Sequence, residues 1–350
     1  MSVSISLQRF AKLIIVSSLL VACSSERLAL QEWKHSQLGS YAAAFSPDRR
    51  YVLVGDTEQP AKLWDIEANK IKFAWQNKPD EAGTTTDVAF SHDGKVAATS
   101  ESKTIVLWNM ADGEPMVRLG FPVTIKDIAL SPQGDYVLLA LQDRTAVYFD
   151  VIANRVIHVF EHDGNAVNSP INQLINAVAI SPDGQSALTG GDDNTARLWN
   201  LETGAQLQQW QHGNDVSLVS FDPAGGFVVS AAGNDQTYIW NLTSAEQVAV
   251  LNTSPIPIGN AWSDFPVFQT TTTAIGYSAD NQFIVTGHPN RQICTWQAND
   301  GASVACWQAP RREALKPGVV LQAVTFSPDG TAIYSESGNG LAQKWQFQHD

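Results

Sequence analysis

The chain of 350 residues carries 22 Lys and Arg against 35 Asp and Glu, a formal net charge of −13 at pH 7. Hydrophobic residues make up 44 % and charged residues 16 %, enough apolar material for a large core and too little charge for a disordered chain. So acidic a surface repels phosphate backbones and anionic headgroups, which argues against nucleic-acid binding and against a peripheral electrostatic grip on a membrane.

The first 22 residues stand apart. Arg9 and Lys12 precede the uncharged apolar run Leu13 to Ala22, too short to cross a bilayer and suited to the core of a secretory signal. Without those two cations the net charge falls by two, to −15. The run ends in Leu20-Val21-Ala22-Cys23-Ser24-Ser25. This resembles the lipobox of bacterial lipoproteins, which implies cleavage before Cys23 and lipid on Cys23; a plain signal peptide with a chance cysteine is the competing reading. In that family an aspartate after the cysteine implies retention at the inner membrane, so Ser24 implies the periplasmic leaflet of the outer membrane, with the inner membrane as the alternative. Several acyl chains together anchor far more firmly than one. The expected division is a signal peptide over 1–22, a lipidated tether over 23–27 and one folded unit over 28–350.

The rest of the chain repeats. Turns of the Ser-Pro-Asp-Gly kind begin at Ser46, Ser91, Ser131, Ser181, Asp222, Ser278 and Ser327, and each is followed by a large aromatic, at Trp64, Trp108, Phe149, Trp199, Trp240, Trp296 and Trp345. The separation is 18 residues in six repeats and 17 in the second. A short apolar run precedes each turn, as in Ala177-Val178-Ala179-Ile180, and three more strand-like runs follow it. Four strands per repeat and seven repeats predict an all-β, seven-bladed propeller. Trp64-Asp65 is the namesake pair of the WD40 repeats, and Trp108-Asn109, Trp199-Asn200 and Trp240-Asn241 are near forms, so the chain resembles a WD40-type propeller. That resemblance implies a buried His-Ser-Asp-Trp network in each blade. The fifth repeat nearly keeps it in His212, Ser230, Asn234 or Asp235, and Trp240. The fourth keeps Asp193 and Trp199 with Thr189 for the serine. Most repeats read as having lost it, leaving apolar packing to hold them. As a Ser/His/Asp set these residues look catalytic, but a satisfied structural network is the simpler reading.

Eleven residues beyond each terminal aromatic lies another bulky residue, at Trp75, Leu119, Phe160, Trp210, Leu251 and Trp307. The seventh repeat lacks this outer strand. Leu30-Gln31-Glu32-Trp33-Lys34-His35 mirrors Leu207-Gln208-Gln209-Trp210-Gln211-His212, so the N-terminal strand is predicted to close the last blade and leave no open inner edge.

In WD40-like propellers the outer strand runs from bottom face to top face. A strand starting near Arg27, four residues after Cys23, therefore turns the bottom face to the membrane, and the tether reaches at most ~14 Å. The extra residues, roughly Asn77 to Thr85, Asp163 to Leu174, Asn252 to Thr272 and Ala309 to Val320, fall between outer and inner strands, on the top face, where binding loops are built. Trp262, Phe265 and Phe268, among prolines, read either as anchors for a protein interface or as padding of the channel mouth. Arg311 and Arg312 read as a basic patch for an acidic partner or a solvated loop. A polar ring of Tyr41, Thr86, Lys126, Asn176, Ser217, Thr273 and Gln322, flanked by Asp87 and Asp127, is predicted at the mouth. Cys294 and Cys306 flank one turn as cross-strand neighbours, either joined as a disulfide or left as two buried thiols. No phosphate loop, Gly-x-Gly-x-x-Gly or Gly-x-Ser-x-Gly motif is present, and His158 and His162 do not share a helical face as a metal pair would. No cofactor is expected. The reading is a non-enzymatic scaffold that binds envelope proteins through Tyr41, Lys126, Asp87, Asp127 and the top loops. The alternative is a propeller enzyme or small-ligand binder acting at the channel mouth.

Overall fold

The computed structural model describes residues 27–57, 60–77, 83–162, 174–252, 271–309 and 320–348. Among these, 28 strands form seven four-stranded antiparallel sheets, and there is no helix. Six sheets are consecutive meanders. The first runs Ser40–Phe45, Tyr51–Asp56, Ala61–Asp65 and Lys70–Trp75, and the others repeat this order. Inner strands of neighbouring blades pack on one another, and Tyr277 Oη donates to Ser220 Oγ between blades 6 and 5. The product is a seven-bladed β-propeller.

The turn after each inner strand explains the regular spacing. In Ser181-Pro182-Asp183-Gly184 the serine hydroxyl donates to the Asp183 carboxylate at 2.5 Å and accepts the Ser186 N–H at 2.9 Å. The same arrangement recurs around Ser46, Ser91, Ser278 and Ser327. The fourth turn position needs a left-handed backbone, which Gly184 adopts freely at φ 72° while Arg49 is held there at φ 61°.

The expected closure is present. The strand Gln31–Lys34 pairs antiparallel with Leu341–Gln346, with Gln31 opposite Lys344 and Lys34 opposite Leu341. Leu30 N–H donates to Lys344 O and His35 N–H to Gly340 O. Past the strand, the His35 ring stacks on Trp64 of blade 1 at 4.4 Å and its Nδ1 lies 2.6 Å from Glu336 Oε1 of blade 7, 301 residues away in the chain. Both partners are buried. Ser36 hydrogen-bonds Asp56, which also pairs with Lys62 at 2.7 Å. The first strand thus fastens blade 7 to blade 1 as well as completing its own sheet.

Blades meet through aromatics. The outer-strand residue of one blade packs on the third-strand aromatic of the next. Such pairs are Trp75 on Trp108, Phe160 on Trp199, Trp210 on Trp240 and Trp307 on Trp345, at 4.9–5.9 Å between ring centroids. Between blades 2 and 3 both members are smaller, Leu119 and Phe149. There a groove of about 730 Å³ lies open, lined also by Phe121, Val147, Val156 and Val159.

The hydrogen-bonded part of the core is larger than the sequence reading allowed. The third-strand indole donates to a hydroxyl on the second strand in five blades: Trp108 to Thr99, Trp199 to Thr189, Trp240 to Ser230, Trp296 to Thr286 and Trp345 to Ser335, all at 2.8–2.9 Å. Blade 3 has Phe149 and needs no acceptor. Blade 1 has Val54 at the hydroxyl position, and Trp64 Nε1 is left buried without a partner. The expectation that most blades had lost the network holds only for its histidine and aspartate members. The indole–hydroxyl bond survives because an unpaired buried N–H is costly.

Candidate functional site

The top of the central channel is where the inner strands begin. In five blades an irregularity in the inner strand ejects one residue from the ladder: Tyr41, Lys126, Asn176, Ser217 and Gln322. A bulge of this kind re-aims a side chain, and these residues together with Thr86 and Thr273 ring the mouth. Tyr41 is 62 % exposed. The others largely pair around the ring. Lys126 Nζ donates to Asn176 Oδ1 and Asn176 Nδ2 to Asp192 Oδ1, each at 2.5 Å. Ser40 and Gln322 exchange bonds between blades 1 and 7, and Thr273 Oγ1 donates to Leu321 O.

Asp87 and Asp127 sit one residue deeper, on neighbouring blades. Asp87 accepts Val88 N–H at 2.8 Å through Oδ1 and, across the blade boundary, Ile128 N–H at 2.8 Å through Oδ2. Asp127 accepts the same Ile128 N–H at 3.0 Å and, across the next boundary, Val178 N–H at 2.7 Å. Burial raises the carboxyl of Asp87 well above its ordinary range, and the charge of Asp127 adds to this. Burial likewise pushes Asp127 up to about 6, against the opposing pull of its amide donors. The five equivalent positions are apolar: Ala42, Ala177, Leu218, Ala274 and Ala323.

Of the fifth-blade network, His212 Nε2 and Trp240 Nε1 both lie 2.8 Å from Ser230 Oγ. Asp235 Oδ2 is 3.6 Å from His212 Nδ1 and instead accepts the Gly213 N–H at 2.8 Å. Burial holds the His212 ring below its ordinary pKa despite the nearby Asp235. The fourth blade carries the more complete set, with a histidine that the sequence reading missed. His162 Nε2 is 2.6 Å from Thr189 Oγ1 and its Nδ1 is 2.9 Å from Asp193 Oδ1. Asp193 also takes bonds from Thr195 and Arg197. Burial works to raise the Asp193 carboxyl, but these partners outweigh it and hold it at about 2. The available signal was position: His162 and His212 both lie two residues past an outer-strand aromatic, as do His35 and Asn77. Asn77 accepts from Thr99 in blade 2. The hydroxyls of Thr99, Thr189 and Ser230 are each buried and take the bond of an indole, so these sets brace blades and offer no nucleophile to a substrate.

Cys294 and Cys306 are register partners on the third and outer strands of blade 6 and are joined by a disulfide. Cys23, Trp262, Phe265, Phe268, Arg311 and Arg312 lie outside the described residues. The described ends of all four long inserts, such as Asn252 and Thr271, lie on the top face.

Comparison with known proteins agrees with this geometry. The family of the WD domain, G-beta repeat, matches residues 80–109 and 155–200. The fold is a seven-bladed β-propeller, and these two segments carry its likeness to the WD repeat. The β-propeller domain of Cps50 (Swd1) from Myceliophthora thermophila superposes with a TM-score of 0.72, covering 91 % of this chain and 99 % of that one at 12 % identity. A chain of the mitotic checkpoint complex superposes with a TM-score of 0.71 at 15 % identity, covering 100 % and 98 %. In sequence the chain is 21 % identical to autophagy-related protein 16 of Arabidopsis thaliana, over 88 % of this chain and 55 % of that protein. It is 26 % identical to a guanine nucleotide-binding protein subunit beta of Oryza sativa, over 72 % and 68 %. The match thus spans little more than half of the first relative. A rigid propeller ring that carries loops at its rim is a scaffold suited to protein interaction.

Proposed function

We propose that this propeller is a lipid-anchored scaffold of a bacterial envelope, held through Cys23 at the periplasmic leaflet of the outer membrane and binding envelope proteins through its top face. The observation that carries the reading is the position of Arg27. Its guanidinium donates to Gln346 O at the bottom rim of blade 7, at the opposite end of the molecule from the channel mouth. It is the fourth residue after Cys23, so a lipid there would keep the bottom rim within ~14 Å of the bilayer surface. The bottom turns carry Asp48, Asp93, Asp183, Asp280 and Asp329. Carboxylates of that density repel anionic lipid, so the tether alone would hold the propeller. The Cys294–Cys306 disulfide is in keeping with an oxidising compartment such as the periplasm.

The test is metabolic labelling with an alkyne-bearing fatty acid, followed by membrane fractionation of the wild type and of Cys23→Ser. The wild type should take up the label and sediment with the outer membrane, and Cys23→Ser should do neither. An unlabelled wild-type protein, or label that persists in Cys23→Ser, would overturn the anchoring.

A further inference from the structure

Asp87 and Asp127 are joined by a donor that they share. Ile128 N–H lies 2.8 Å from one carboxyl and 3.0 Å from the other. Two carboxyl groups that converge on one amide hydrogen are in close proximity. Each also reaches across a blade boundary, Asp87 from blade 2 to blade 3 and Asp127 from blade 3 to blade 4. If both were ionised, two like charges would face each other among packed strands. A proton placed between them turns that repulsion into a hydrogen bond.

We propose that Asp87 and Asp127 hold a single proton between them at neutral pH and act as a pH-operated clasp that fixes blades 2, 3 and 4 at the channel mouth. The surroundings favour retention of that proton. The cation on the adjoining bulge, Lys126, is bonded to Asn176, and its charge opposes retention at Asp127. The top of blade 4 presents Asp192, which binds Asn176 and whose charge helps raise Asp215 on blade 5. On blade 2, Asp87 stands opposite the neutral Ser100, whose hydroxyl pairs with Thr86, and Glu101 follows at the strand end. Burial of both carboxyls, with the charge of Asp127 acting on Asp87, outweighs that one cation. Burial and mutual charge raise both carboxyls in the folded chain, so the sign is fixed. The stabilisation is fully present below the ordinary aspartate pKa, begins to fall as the first proton leaves through about 6, and is lost only at higher pH as the shared proton, held by burial and the ionised partner, leaves in its turn.

Buried His212 and His288 titrate in the opposite sense, since burial lowers both and His288 falls to about 4. The informative quantity is therefore the difference between wild type and variant at each pH. Asp87→Asn and Asp127→Asn each imitate a neutral carboxyl. Relative to the wild type, their unfolding midpoints should gain about 2–4 °C between pH 5.5 and 8.5. In the wild type, amide exchange at Ile128 and Val178 should accelerate over the same interval by more than the intrinsic dependence. An infrared C=O band of a protonated carboxylic acid should persist at pH 7.5 and vanish in Asp87→Asn. This last reading of the wild type does not depend on whether a variant folds. A flat difference profile in both variants, or no carboxylic-acid band in the wild type at pH 7.5, would overturn the proposal.

Discussion

Glu336→Ala is expected to destabilise the propeller by about 3–5 kcal/mol, the range for breaking a buried pair by removing one member. Glu336 and His35 are 2 % and 3 % exposed in their side chains and 2.6 Å apart, so the variant strands an imidazole with no water to replace its partner. Position matters as much as energy. Among the equivalent second-strand positions, Gly55, Ser100, Ala140, Gly190, Ala231 and Gly287 are all small, and blade 7 alone places a carboxylate there. That carboxylate grips the residue through which the first strand passes to blade 1. The loss should therefore be read as opening of the ring seam: amide exchange in Gln31–Lys34 and Leu341–Gln346 should rise first. Chemical denaturation and exchange mass spectrometry measure both effects. A change below 1 kcal/mol would show that the ladder and the Trp64 stack close the ring without the pair.

Thr189→Val should cost about 2–4 kcal/mol, because it leaves two buried polar groups unpaired at about 1–3 kcal/mol each. Trp199 Nε1 and His162 Nε2 both depend on the Thr189 hydroxyl, and valine fills the same volume without it. The converse change tests the same rule. Val54→Thr would offer an acceptor to the orphaned Trp64 Nε1 and should stabilise blade 1 by about 0.5–1.5 kcal/mol. Equilibrium unfolding of the two variants checks both signs. Stability unchanged in both would mean that apolar packing, and not the indole–hydroxyl bond, sets the strength of these blades.

How much was legible in the sequence follows from the range of the interactions concerned. The turn around Ser181 and the indole of Trp199 belong to one blade, eighteen residues apart, and that register holds in six of the seven repeats and is one residue shorter in the second. Local chemistry of that kind is readable, and so was the closing strand, because Leu30 to His35 copies Leu207 to His212 in composition. The bond from His35 to Glu336 was not readable, because it joins residues 301 apart and, although His35 holds a position that recurs at His162 and His212, Glu336 carries no repeat signature. Asp87 and Asp127 stood out at the mouth, but their role did not. They bind backbone amides of the following blades, and a backbone donor leaves no mark in sequence. The indole–hydroxyl bonds were undercounted for a different reason. A search for four members together passes over blades 2, 6 and 7, where threonine or serine and tryptophan remain after the histidine and aspartate have changed. His162 was read against His158 four residues away, whereas its partner is Asp193 on the next blade.

The top-face aspartates bear on partner binding as well as on stability. Asp87 and Asp127 spend their lone pairs on Val88, Ile128 and Val178, and Lys126 is committed to Asn176. Among the described residues, what the mouth presents to a partner is chiefly Tyr41, which is exposed.

The most direct measurement is site-specific photocrosslinking in intact cells, with the reactive side chain placed at Tyr41 or Lys126 on the top face and at Asp112 or Glu202 on the bottom turns. A propeller tethered by its bottom rim and working through its top predicts discrete adducts to other envelope proteins from Tyr41 and Lys126, with none from Asp112 or Glu202. Protein adducts from the bottom turns, with silence at the top, would contradict it.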